Sequence, residues 1–423
     1  WIGGKTGDNW SVTYAAEYYT SEPLYAYQRD FMDSSLDNPL PPDFVGIQPT
    51  GTMRVRRRTG STAGSYFAPP AGACEQLGDE WVRWNYRSAN AAGVITNLGQ
   101  SCGSFKDVAY QTIRNGNNDL SGYVFGTYDF ENGMQAWGSL QAWTSKAKYG
   151  AGTQFWGGRT VGGLWFDQGF NALVDAQRVF TPQEAGGVEN LLAKNDEKSY
   201  DLAFGLRGTI ADRFDWDVTL SRAEYNVQVD RPRLLSTAVN NWFLGPQLGT
   251  QVVGGVTYPV YRLNQSRYYT ALTPQEFAAL NTVVKTDAES FVNQASFTIS
   301  GDLFEMPAGP LAFAAVVEAS QQEYTLTADR RILPDYIGTD RPYNLTGTGG
   351  GGDRDRYALG VEFSIPIFSM LKASVAGRYD KYDDITSVDD AKTWNAGLEF
   401  RPLDSLLFRA SYSTSFRAPD MHY

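Results

Sequence analysis

Apolar and polar residues alternate with a period of two over long stretches of this chain, most cleanly after residue 355. In 356–365, Tyr357, Leu359, Val361, Phe363 and Ile365 share one face, and Arg356, Ala358, Gly360, Glu362 and Ser364 the other. In 371–380, Leu371, Ala373, Val375 and Tyr379 oppose Lys372, Ser374, Arg378 and Asp380. Trp394, Leu398 and Phe400 then oppose Asn395, Glu399 and Arg401, and Leu406, Phe408, Ala410 and Tyr412 oppose Arg409, Ser411 and Ser413. Tyr200, Leu202, Phe204 and Leu206 form an earlier pair of the same kind with Phe214, Trp216, Val218 and Leu220. Successive side chains on a strand point to opposite faces, so each segment reads as a strand with one apolar face. The pair at 121–146 carries aromatics on both faces, and the pattern does not assign its outside.

Eleven strands are counted in this way, the first at 8–20. Tight connections fall at 131–134, 211–213, 304–310, 368–369 and 403–405. The connections at 21–120, 147–198, 229–289, 328–354 and 384–391 are mostly far longer and hold more than half of the chain. A soluble sandwich or propeller would show the same alternation but has no reason to sustain that asymmetry over five hairpins. Short turns at one rim and long loops at the other define an all-β, antiparallel transmembrane β-barrel with periplasmic turns and extracellular loops. Bacterial single-chain barrels close with an even strand number. Eleven therefore predicts that residues 1–423 are a fragment of one barrel domain.

Composition sharpens this. Tyr 25, Phe 23 and Trp 11 among 423 residues suit strands bordered by interfacial aromatic girdles. No unbroken apolar run is long enough for a spanning helix, which excludes a helical membrane protein but not a barrel. A net charge of −11 argues against nucleic acid as a partner. Cys74 and Cys102, the only cysteines, both lie in the longest loop and suit either a disulfide in an oxidising compartment or two free thiols. The chain opens on Trp1 with no charged n-region or apolar h-region, as expected of a processed or truncated chain.

The loops carry the candidate chemistry. Thr181-Pro182-Gln183-Glu184 and Thr273-Pro274-Gln275-Glu276 both match a capping box with proline at the first helical position. They predict short helices at 182–194 and 274–284. The run Gly347–Gly352 lies between strand signals with no helix following, which makes it a flexible loop and not a dinucleotide site. Arg54, Arg56, Arg57 and Arg58 form the one dense basic cluster; it would attract an anionic ligand or lipid phosphate, or would simply be a solvated loop segment. Asp380, Asp383, Asp384, Asp389 and Asp390 offer oxygen ligands for Ca²⁺ without EF-hand spacing, so solvated strand-end carboxylates is the reading taken.

Phe155, Trp156, Trp165, Phe166 and Phe170, then Trp242, Phe243, Tyr268 and Tyr269, crowd the middle loops. They would stack on a sugar or an aromatic chelator, or build the loops' own small cores, or sit at the membrane interface. Trp156, Trp165, Trp242, Tyr268, Tyr269, Arg54 and Arg56 are the substrate-binding candidates. Catalysis finds little support, because His422 is the sole histidine and no Cys or His metal constellation occurs. No cofactor is expected and the chain is read as not an enzyme.

The last hairpin ends Leu407-Phe408-Arg409-Ala410-Ser411-Tyr412-Ser413-Thr414-Ser415-Phe416-Arg417-Ala418-Pro419. This run resembles the mid-barrel signature of TonB-dependent outer-membrane receptors, in which an Arg-Ala-Ser-Tyr strand leads into Phe-Arg-Ala-Pro. The start, Gly3-Gly4 through Tyr18-Tyr19 and Glu22-Pro23-Leu24, is similar to an early barrel strand of that family. The resemblance implies a structural role for Arg409, Phe416, Arg417, Ala418 and Pro419. It also implies a bacterial outer-membrane protein, a 22-stranded barrel, and a plug and TonB box that this sequence does not contain. Through that plug the TonB–ExbB–ExbD complex would drive import of a scarce nutrient, a ferric siderophore or an oligosaccharide. Outer-membrane lipids and a small-molecule or glycan ligand would be the other partners. An adhesin or assembly partner using the same loops without energised transport is the alternative.

Overall fold

The computed structural model describes residues 1–39, 45–60, 62–150, 152–160 and 162–421. His422 lies outside these residues. Twelve antiparallel strands form one sheet in which each is hydrogen-bonded to the next in sequence order. They are β1 Ile2–Thr6, β2 Trp10–Ser21, β3 Gly116–Asp129, β4 Gln135–Tyr149, β5 Ala193–Ile210 and β6 Phe214–Leu234. Then follow β7 Asn281–Met306, β8 Gly309–Ala328, β9 Gly350–Phe368, β10 Leu371–Asp384, β11 Asp390–Leu403 and β12 Leu406–Ser413. The sequence pattern missed β1, whose Gly3-Gly4 pair breaks the alternation. The strand number in the sheet is thus even, and β1 and β12 are its two edges, with no pairing between them among the described residues.

Register fixes which face is which, because residues paired across adjacent strands point the same way. Tyr14 pairs with Val124, Val124 with Leu140, and Leu140 with Leu202. Farther along, Leu220 pairs with Phe204, Val218 with Phe297, and Val317 with Leu359. Leu140, Phe204, Leu220 and Leu359 are all well exposed, as an apolar outer wall facing lipid requires. This also resolves the 121–146 hairpin: Val124 and Leu140 face out, while Tyr123, Phe125, Trp137 and Trp143 face in. Trp137 turns its indole N–H towards Asp217 on the inner face, 3.4 Å away.

The inner wall of β8–β10 is ionic. Glu318 accepts from Arg356 (3.0 Å) and from Arg378, and Arg378 also pairs with Asp380 (3.0 Å). Arg354 pairs with Asp384 and donates to the carbonyl of Pro419 (2.7 Å). Asp380 and Asp384 are therefore bound to arginines, not solvated as expected. Phe416 packs against Tyr382, ring centroids 5.8 Å apart, so the Phe-Arg-Ala-Pro run lies against this wall.

At one rim the turns are short: Ala211 and Asp212 adopt φ of 54° and 53°, the left-handed pair that suits a tight hairpin, and Pro307-Ala308 alone join β7 to β8. At the other rim the strands overshoot. A tilted strand needs about 9–11 residues to span a bilayer; β6 has 21 and β7 has 26.

The three longest connections are not separate loops. Together they form a nine-stranded second sheet whose main order runs 249–253, 256–261, 165–167, 172–179, 51–59, 95–104, 81–89. One of its pairings, Phe166 with Val260, is parallel. The Cys74–Cys102 disulfide is formed inside this unit. The Gly347–Gly352 run is not wholly a loop either, since Gly350–Gly352 pair with Leu326–Tyr324 in the main sheet.

The two capping boxes diverge. Thr273–Glu276 starts a helix, Pro274–Ala279, shorter than expected because β7 begins at Asn281. Thr181 and Glu184 make the same reciprocal bonds (2.8 and 3.3 Å), yet only a 3₁₀ turn, Val188–Leu191, follows in place of the helix expected over 182–194. Gly186 and Gly187 sit at φ of 75° and 128°, outside helical space, and the Glu184 carboxylate is buried against Arg178.

Candidate functional site

The strand Gly51–Thr59 lies in the middle of the loop sheet, paired with 172–179 on one side and with 62–66 and 95–104 on the other. Period two sends Met53 and Val55 into the core and Arg54, Arg56 and Arg58 to the opposite face. Arg56 donates from Nε and Nη2 to the Asp175 carboxylate (3.2 and 2.7 Å), and Arg58 approaches the same carboxylate at 3.3 Å. Arg54 lies over the Tyr66 ring, 5.9 Å from its centroid, and donates to the Thr52 hydroxyl (3.3 Å). Arg57 points the other way and stacks on Phe67 at 4.7 Å. Far from a solvated loop, the cluster is a half-buried row of three guanidinium groups with Asp175 among them. Planar guanidinium groups in such a row match carboxylate, phosphate or catecholate oxygens.

The aromatic candidates are placed differently. Trp156, Trp165 and Tyr268 are fully buried and Tyr269 nearly so. Trp156 touches Phe243 (centroids 4.9 Å), Trp165 (6.2 Å) and Tyr268 (6.2 Å), and its Nε1 donates to Asn240 (2.8 Å). These rings are the loop unit's own core, with no face turned to a ligand in solution. The Tyr268 hydroxyl reaches the carbonyls of Arg54 (2.9 Å) and Gln177 (2.5 Å), and burial raises its pKa. It thus holds the arginine strand from behind. Trp242 alone of the five remains half-exposed, with Arg267 stacked on it at 4.4 Å.

Arg178 and Glu184, both buried, tie the unit together. Arg178 donates to Glu184 (2.5 Å) and to the carbonyls of Tyr268 (3.1 Å) and Thr270 (3.0 Å), and Glu184 accepts from the Leu272 amide (2.9 Å). Sequence reasoning saw only the capping box here. Nearby, a cavity of about 740 Å³ is lined by Glu80, Lys106, Tyr110, Gln183 and Leu272. Burial raises the pKa of Glu80, against the opposing effect of the Tyr110 hydroxyl, and burial likewise raises that of Asp107. Among the described residues no group of three or more His, Cys, Asp or Glu could hold a metal ion.

Sheet, turn asymmetry and signature run describe a β-barrel receptor of the TonB-dependent class. Residues 152–423 match the family model described as TonB dependent receptor-like, beta-barrel, and the chain belongs to that family. Its members are outer-membrane transporters that work with TonB, not enzymes. No curated protein matches the chain.

Among solved structures it is similar to the ferripyoverdine receptor of the outer membrane of Pseudomonas aeruginosa, with 12% identity, TM-score 0.43, and 98% of this chain and 47% of that one covered. It is also similar to the ferric-catecholate import receptor from K12 E. coli, with 9% identity, TM-score 0.40, and coverages of 86% and 50%. The translocator domain of an autotransporter from Neisseria meningitidis aligns at 10% identity and TM-score 0.26, over 87% of this chain and 84% of that one. The chain spans about half the length of the two receptors.

Proposed function

We propose that this chain is part of a TonB-dependent importer of the bacterial outer membrane, and that its loop unit captures an anionic iron chelate, a ferric siderophore. A plug and further barrel strands would complete the protein, and the TonB–ExbB–ExbD complex would act through that plug. The observation that carries the ligand class is the row Arg54, Arg56 and Arg58, in which two guanidinium groups share the Asp175 carboxylate. In a chain of net charge −11, such a local cationic surplus is aimed at an anion. A neutral oligosaccharide would need exposed stacking rings, and four of the five candidate rings are buried. Trp242, the fifth, is half-exposed and has Arg267 stacked on it.

The test is uptake of radiolabelled ferric catecholate and ferric carboxylate chelates, beside a labelled maltooligosaccharide, in cells with and without TonB. Expected is TonB-dependent uptake of a chelate that Arg54→Gln/Arg56→Gln lowers at least tenfold. Uptake of the oligosaccharide alone would refute the ligand class. Binding without TonB-dependent uptake would refute transport in favour of an adhesin or assembly barrel.

A further inference from the structure

We propose that Asp175 is a specificity-determining residue of the arginine row: as a built-in counter-ion it limits how tightly the row holds a multiply charged anion, and it eases that anion's departure. On the strand next to Gly51–Thr59, Asp175 stands opposite Arg56 and Gln177 opposite Arg54. Arg56 binds the carboxylate through Nε and Nη2 (3.2 and 2.7 Å), and Arg58 approaches it through Nη1 at 3.3 Å. Taken together, the guanidinium groups of Arg54, Arg56 and Arg58 and the one carboxylate of Asp175 leave a surplus of positive charge that Asp175 reduces but does not cancel.

The carboxylate lies deeper than the cations around it. The Asp175 side chain is 8% exposed, those of Arg56 and Arg58 23% and 16%. A ligand arriving from solvent therefore meets guanidinium edges first, with the negative charge behind them. Arg56 turns its Nε–Nη2 edge to Asp175, which leaves its Nη1 end for the ligand.

The pairing of the two strands does not need this charge. Backbone register joins them from Arg54 and Gln177 to Arg57 and Val174, and the Tyr268 hydroxyl ties the Arg54 and Gln177 carbonyls together from the core side. A neutral side chain of the same volume would keep those contacts, and a buried ion pair is weak evidence for a stabilising role. What the carboxylate changes is the field above the row. Coulomb energy is linear in the ligand's charge, so the repulsion from Asp175 falls about three times as heavily on a trianion as on a monoanion. Once the anion has gone, Asp175 keeps Arg56 and Arg58 from standing as uncompensated charges, and this lowers the barrier to release. Changes in such a desolvated charge pair act mainly on dissociation.

This rests on the anionic-ligand reading of the row. The probes are two ferric chelates built on one neutral tripodal backbone: a tris-catecholate, which is a trianion, and a mono-catecholate bis-hydroxamate, which is a monoanion. Their binding to and dissociation from the detergent-solubilised full chain are followed by surface plasmon resonance. The variants are Asp175→Asn, which removes the charge at nearly constant volume, and Gln177→Glu, which adds a second carboxylate beside Arg54. The second carries the test if Asp175→Asn does not fold.

Expected in Asp175→Asn is at least about tenfold tighter binding of the trianion, carried by slower dissociation, against about twofold for the monoanion. Gln177→Glu should move both the other way in the same proportion. Equal changes for the two chelates, or weaker binding of the trianion in Asp175→Asn, would overturn the inference and leave Asp175 a strut between strands. Failure of the wild type to bind either chelate, or trianion binding that Arg54→Gln/Arg56→Gln does not weaken, would instead remove the anionic-ligand reading, and this inference with it.

Discussion

Replacing Trp156 by alanine separates a core residue from a ligand contact. The indole is fully buried, packs against Phe243, Trp165 and Tyr268, and donates to Asn240. Truncating a large buried aromatic costs about 3–5 kcal/mol in transfer free energy and residual cavity. The lost hydrogen bond adds little, since Asn240 is only half-buried and can turn to water. Against a domain stability of about 5–15 kcal/mol this is a large fraction. At about 1.4 kcal/mol per decade, the opened state of the loop unit should become roughly two to three and a half orders of magnitude more populated.

Limited proteolysis of the detergent-solubilised protein at low protease reads that population. Cleavage in 147–198 and 229–289 should accelerate by that factor, while the long-strand sheet stays intact. Trp156→Phe keeps most of the ring contact and should fall in between. If Trp156→Ala were cleaved at the wild-type rate yet lost ligand, the indole would be a surface contact and the core assignment would be refuted.

Three further outcomes are expected. Changing Cys74 and Cys102 to serine opens a cross-link of 28-residue separation, which the chain-entropy model values at about 3–4 kcal/mol; the loop unit should melt earlier, and reduced wild type should match it. Glu80 has a pKa raised by burial, so its contribution to stability is full below the ordinary carboxylate value and is lost as pH rises through the raised one. Glu80→Gln should therefore stabilise the loop unit at pH 8 and not at pH 4, and melting curves with the same shift at both would contradict this. In the apolar band, Leu220→Arg should cost about 2–4 kcal/mol in urea titrations of vesicle-inserted protein, whereas Thr219→Arg on the inner face should cost far less; equal costs would refute the assigned faces.

The long strands were legible because a wall between lipid and lumen imposes a different environment on every second residue, so each strand carries its own signal. Only β1 escaped, since Gly3 and Gly4 give the pattern nothing to alternate. The face of 121–146 needed register, because Trp137 and Trp143 look inward with polar neighbours on other strands. The loop unit was not legible, for a different reason. Its pairings join distant residues, as when Arg56 meets Asp175, 119 positions away, and many of its strands are too short for periodicity to show.

Local chemistry survives such folding but its outcome does not. Thr181–Glu184 and Thr273–Glu276 make the same capping bonds, and whether a helix follows is settled by Gly186, Gly187 and the burial of Glu184 against Arg178. The same holds for the rings: Trp156 and Trp242 are alike as loop tryptophans in sequence, yet one closes a core and the other stays half-open. Arginine differs, because a guanidinium is costly to bury without a partner and stays near water or an anion wherever the chain carries it. In a loop unit of unknown fold, an aromatic cluster is thus a sequence guide to a core, while an arginine is found beside water or an anion, which for Arg56 and Arg58 is Asp175 and for Arg178 is Glu184.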